Sequence, residues 1–193
     1  MGWLEDYRAE TGKVIAEPWM LCLAEAIACV ESAWGAQRIV GPGGFNEIGY
    51  KAVPGKPSIG KDTREAGPDG AIEPARAAFR LFADRAEQAQ ALLWLMRSSA
   101  YYEAARLLGV LAFYSAYAPG RIDGIGDLAC VFNKLARSGA HPGVRPFALV
   151  ESASAGGGDA ETLAYNHAAA RQAVRLFAQM TGQTTNAPER QGA

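Results

Sequence analysis

The chain has 193 residues, enough for one well-filled core and short for two ordinary domains. Hydrophobic residues make up 49% and charged residues 20%, a globular balance that excludes a disordered or membrane-embedded chain. The formal net charge of -1 supplies no basic field, which disfavours nucleic-acid binding by phosphate neutralisation.

Glu5, Asp6, Arg8, Glu10 and Lys13 charge the N-terminal stretch, so no apolar secretion signal is expected there. The apolar run from Pro18 to Val30 is broken by Glu25 and is too short to cross a bilayer, so no membrane insertion is expected. Leu23, Ile27, Val30 and Trp34 recur at helical spacing and predict a helix over residues 18–34, with Pro18 in its first turn and Glu31 in its last. Cys22 and Cys29 lie too far apart along that helix to bridge. With Cys130 they form an odd set without metal-type spacing and read as small buried side chains.

From Gly35 to Gly70 the texture changes to GPGG, VPGKPSIG and GPDG, predicting a loop-rich excursion with a short hairpin at most. Helical patterning resumes at Pro74, with Ala78, Leu81 and Phe82, and then Ala89, Leu92, Leu93, Leu95 and Met96, giving two helices. Further helices are predicted from Tyr101 to Leu111 and from Asp127 to Ser138, the second closed by Gly139. The SAYAPGRIDGIG segment between them reads as a turn-rich connection. ESASAGGGD is a linker, Ala160 to Met180 is an amphipathic helix with Leu163, Ala170, Val174 and Phe177 on one face, and residues 182–193 form a disordered tail. The expected class is mainly α with a small β or irregular lobe. Residues 1–150 form the catalytic domain, and 151–193 add a linker, a helix packed on that domain and the tail.

Cleavage of a glycosidic bond needs a carboxyl held protonated near neutral pH as proton donor. Glu31, in CVESAWG beside Val30 and Trp34, has an apolar helical setting that disfavours its charged form, and its place at a helix C-terminus acts the same way. The plainer alternative is a solvated Glu at a helix end. His141 and His167 have no acidic neighbours at ligand spacing, so neither a metal nor another cofactor is expected. Ser32 and Ser115 lack a GxSxG context.

Four elements follow one another in order. AIACVESAWG supplies Ala28, Glu31, Ser32, Trp34 and Gly35 of an A-x-x-E-S-x-W-G helix end. FNEIGYKAV supplies Asn46, Ile48, Gly49, Tyr50, Lys51 and Ala52 of an N-L-F-G-I-K-A-like stretch. Thr63-Arg64-Glu65 echoes a T-x-E element, and Phe79-Arg80-Leu81-Phe82 an F-R-x-Y/F helix start. Across residues 17–140 the chain therefore resembles the glucosaminidase family of peptidoglycan hydrolases, which includes bacterial autolysins, flagellar rod-assembly proteins and phage lysins. It departs from that family's G-Y-A-T-D-P-x-Y element, where FYSAYAPGR offers Tyr117 or Tyr114 and lacks the T-D pair.

The resemblance implies a lysozyme-like helical domain with Glu31 as general acid on one side of a cleft and a mobile β lobe on the other. It implies Glu65 as the second catalytic carboxylate, with Glu73 or the substrate's own acetamido oxygen as alternatives. Tyr117 would be the catalytic tyrosine, with Tyr114 as its alternative. Sugar-binding candidates are Tyr114, Tyr50, Asn46, Phe45 and Trp34, although the helical spacing of Trp34 favours a core position. The expected substrate is the glycan strand of peptidoglycan, cut after N-acetylglucosamine. The alternatives are muramidase or lytic transglycosylase chemistry, or a non-catalytic glycan-binding or assembly module. A chain without a secretion signal would reach the cell wall by phage release or a secretion system, and an injected toxin would imply an immunity protein that covers the cleft. The reduced cysteine set suits storage in the cytoplasm.

Overall fold

The computed structural model describes residues 2–66, 72–97, 128, 131–132 and 134–144. The chain divides into two compact units, Met1–Leu92 and Leu93–Ala193. The order of elements is α1 (Trp3–Thr11), α2 (Pro18–Glu31), β1 (Ile39–Gly41), β2 (Gly44–Asn46), β3 (Ser58–Ala66), β4 (Ile72–Arg80) and α3 (Arg85–Arg97).

In the first unit, α1 begins where the Glu5 carboxylate accepts the Gly2 backbone N–H at 2.9 Å, with Glu5 and Asp6 placed in the first turn. Negative charge there complements the helix dipole. This helix was not anticipated from the sequence. It packs on α2, which opens on Pro18 as expected and ends at Glu31, three residues short of the expected end at Trp34. Every residue from Cys22 to Cys29 is buried, so α2 is apolar on all sides except at Glu25, whose carboxylate receives a bidentate pair of bonds from Arg8 at 2.7 and 2.9 Å. The helix is the spine of the core, with Tyr7, Ile15, Met20 and Leu23 fully enclosed. Cys22 and Cys29 are buried and not joined in a disulfide, as predicted for small core side chains.

Two antiparallel hairpins follow, β1 with β2 and β3 with β4. The expected mainly α class is thereby corrected: the protein is mixed α/β, with 42% helix and 23% strand among the described residues. The helix predicted to start at Pro74 is the nine-residue strand β4. Ala-rich PARAAF favours helix locally, but its alternation also has a period of two: Ala75, Ala77 and Phe79 are partly or fully buried, while Pro74, Arg76 and Ala78 are exposed. Pairing with β3 from Ser58↔Arg80 to Ala66↔Ile72 resolves the ambiguity. Pro74, opposite Arg64, is tolerated in such a two-stranded ribbon. The base of this ribbon is anchored where Phe79, Leu81 and Phe82 enter the core. α3 starts at a side-chain cap: Asp84 Oδ1 accepts the Glu87 N–H, and Glu87 Oε2 accepts the N–H of Ala83 one residue further back.

In the second unit, described residues between 128 and 137 are helical, with Leu128, Phe132, Leu135 and Ala136 buried along one face. The chain leaves this helix through Gly139 at φ 78°, matching the expected stop. His141 is buried. The predictions made for residues 101–127, for Cys130 and for residues 151–193 lie outside the described residues.

Candidate active site

Glu31 is the last residue of α2. The Ser32 hydroxyl donates back to the Ala28 carbonyl at 2.6 Å and accepts the Gly35 N–H at 2.8 Å, ending the helix. The turn then runs through Ala33 (φ 48°), Trp34 (φ 59°) and Gly35 (φ 83°). For the two residues with side chains this left-handed backbone costs roughly 1–2 kcal/mol each. The Trp34 N–H bonds to the Cys29 carbonyl at 2.9 Å, and the Gln37 N–H closes onto Ser32 at 2.7 Å. Trp34 is 42% exposed, so the core position favoured by its spacing is corrected: the left-handed turn carries it off the helical face.

Facing this turn is the loop after β2. Asn46 is buried, and its amide is fully used within the protein: Nδ2 donates to the Tyr50 and Arg80 carbonyls, both at 2.8 Å. Its Oδ1 accepts the N–H groups of Ile48 and Tyr50. Asn46 therefore shapes the loop and has no side-chain donor left to offer a sugar. The loop passes through Gly49 at φ 64°, where a Cβ would stand 2.5 Å from Glu31 Oε2. The absence of a side chain at residue 49 makes room for the Glu31 carboxylate. Glu31 itself is an exposed residue, so the apolar surroundings expected from its helix neighbours do not enclose it.

Tyr50 is half-buried with its ring edge-on to Phe82 at 5.8 Å; burial pushes its phenol up from its usual value, partly offset by the Arg80 cation. Phe45 is also half-buried, with the Arg38 guanidinium 5.8 Å from its ring, and it exchanges backbone bonds with Phe82 at 3.0 and 2.8 Å. Lys51 is bridged to Phe79 and holds its ammonium 4.3 Å over that ring. The ESAWG, FNEIGYKA and FRLF elements, separate in sequence, thus meet around Asn46 and Gly49.

Glu65 and Glu73, the two candidates for the second carboxylate, are paired across β3 and β4 next to the hairpin tip. Glu73 is exposed and lies within a strand, not ahead of a helix. Tyr114 and Tyr117 lie outside the described residues.

Sequence reasoning missed a buried ionic cluster behind the loop. The Glu47 carboxylate is completely enclosed and accepts Trp3 Nε1–H at 2.9 Å, Arg85 Nε–H at 2.9 Å and an Arg85 terminal N–H at 3.1 Å. The other Arg85 terminal nitrogen reaches Glu10 at 3.1 Å, and the Glu47 N–H bonds to Gln88 Oε1 at 2.9 Å. The Glu47 contact raises the Arg85 guanidinium further above its ordinary value. One signal was available: a charged residue stands at position 47, where the resembling pattern carries Leu.

No family model matches the chain, and no curated protein matches it. Among solved structures it is similar to a C-terminally truncated glycoside hydrolase domain from Salmonella typhimurium FlgJ, at 17% identity over 88% of this chain and 98% of that one, with a TM-score of 0.37.

Proposed function

We propose that this protein hydrolyses glycosidic bonds in the glycan strands of peptidoglycan, after N-acetylglucosamine, with Glu31 as general acid. The observation that carries the reading is the Glu31 carboxylate lodged against side-chain-free Gly49, where a helix end and a loop of the resembling pattern converge. Glu31 gives its proton to the leaving glycosidic oxygen as the bond to the anomeric carbon breaks. The charge that develops on the sugar is met by Glu65 or by the substrate's acetamido oxygen. Water then adds to the anomeric carbon and its proton returns to Glu31. Trp34, exposed beside Glu31, offers a face for a sugar ring.

Digestion of purified sacculi followed by mass spectrometry tests the reading. Reducing N-acetylglucosamine ends are expected, and they should vanish with Glu31→Gln while the circular-dichroism spectrum is kept. Reducing muramic or anhydromuramic ends would move the cut to the other bond.

The exposure of Glu31 favours a second reading, a glycan-binding module without turnover. In that case the native and Glu31→Gln proteins bind sacculi equally and neither releases sugar.

The site of action proposed is the periplasm or cell wall, reached by a secretion system or phage release, with an immunity protein as partner if the chain is an injected toxin. Expression directed to the periplasm should lyse a test bacterium and cytoplasmic expression should not; equal toxicity would refute this placement.

A further inference from the structure

We infer that Trp3 is a positioning residue for the Glu31 site, joining the turn after Glu31 to the loop that carries Gly49. The inference rests on the reading of Glu31 as the acid, and it concerns a helix ahead of the stretch in which the resemblance lies.

A single indole touches both segments. A Cβ on Gly35 would run into Cδ1, Nε1 and Cγ of Trp3, so the five-membered ring of the indole packs directly against the backbone of the ESAWG turn. The same ring donates its Nε1–H to Glu47 Oε1 at 2.9 Å. Glu47 belongs to the loop that the Asn46 amide folds into shape and that ends against Glu31.

The indole is held in turn. It packs on buried Tyr7 with ring centroids 5.4 Å apart, and the Arg85 guanidinium lies 5.9 Å from its ring while binding both oxygens of the Glu47 carboxylate. Arg85 also ties Glu10 of the same helix. A flat apolar face and a single N–H at one edge are both needed here, and only tryptophan supplies the two together. Moving Trp3 would therefore change the spacing between the Glu31 turn and Gly49, and small misplacements of a reacting group cost rate far more than binding.

The test uses the full-length protein with Trp3→Phe, which keeps a ring and loses the donor, and Glu47→Gln, which keeps volume and loses charge. Buried Ile15→Val serves as a control that perturbs packing alone. Two readouts are taken: kcat and KM on soluble uncross-linked glycan strands, and the NMR resonances of the Glu31 carboxyl carbon and the Gly35 and Gly49 amides. Both site variants should lower kcat about tenfold or more with KM held, and should shift the three resonances together, while Ile15→Val does neither. The inference is overturned if the resonances stay in place, if kcat falls no further than in Ile15→Val, or if both variants simply unfold. Should the native protein cleave no glycan, the proposed activity fails and the resonances alone decide the coupling.

Discussion

The carboxylate of Glu31 and the backbone of Gly49 occupy adjoining space, such that a Cβ on residue 49 would stand 2.5 Å from Glu31 Oε2. The obstructed atom is the far end of a flexible side chain, so Gly49→Ala would displace the carboxylate more than it would strain the core. Gly55 is a matched control, with φ 75° and open space around its Cβ position. Alanine at either site should cost roughly 1–2 kcal/mol for its left-handed backbone. Denaturant titration should give similar losses for the two variants, while sugar release collapses only in Gly49→Ala.

Glu31→Gln should lower glycan cleavage by at least about 100-fold, the usual contribution of a positioned general acid. Because Glu31 is exposed, its stability should stay within about 0.5 kcal/mol of the native protein. Thermal melts alongside sacculus digestion check both halves.

Glu65 and Glu73 are cross-strand partners, so single Gln substitutions ask the same question at neighbouring positions. Glu65→Gln should reduce turnover and Glu73→Gln should leave it. Full activity in both would assign the second role to the substrate's acetamido group.

The Arg8–Glu25 pair joins α1 to α2 with the Glu25 side chain fully enclosed. Arg8→Met removes the bidentate cation from that enclosed carboxylate and should destabilise the protein by about 3–5 kcal/mol. Adding Glu25→Leu should recover much of the loss, since the buried charge is then gone. A urea series on the two variants measures the difference.

Burial, aided by the Glu25 carboxylate, pushes the Cys22 thiol from 9.0 to about 12. The unfolded thiol ionises first, so the native state's advantage from this group is complete below pH 9.0 and is lost as pH rises towards about 12. Between those limits the native protein should lose stability more steeply with pH than Cys22→Ala. Parallel slopes in equilibrium unfolding would contradict the linkage.

The start and body of α2 were legible in the sequence because their causes are local, Pro18 in the first turn and apolar residues at helical spacing. Burial of Cys22 and Cys29 followed from the same periodicity. What the sequence could not decide depended on partners far along the chain. PARAAF satisfies a helical and a two-residue period at once, and only pairing with β3 selects the strand. Trp34 has helical spacing yet lies beyond the point where the backbone turns left-handed. The enclosure of Glu47 required Trp3 and Arg85 to arrive from two different helices, and nothing in the local order of residues foretells which cation will meet a buried carboxylate.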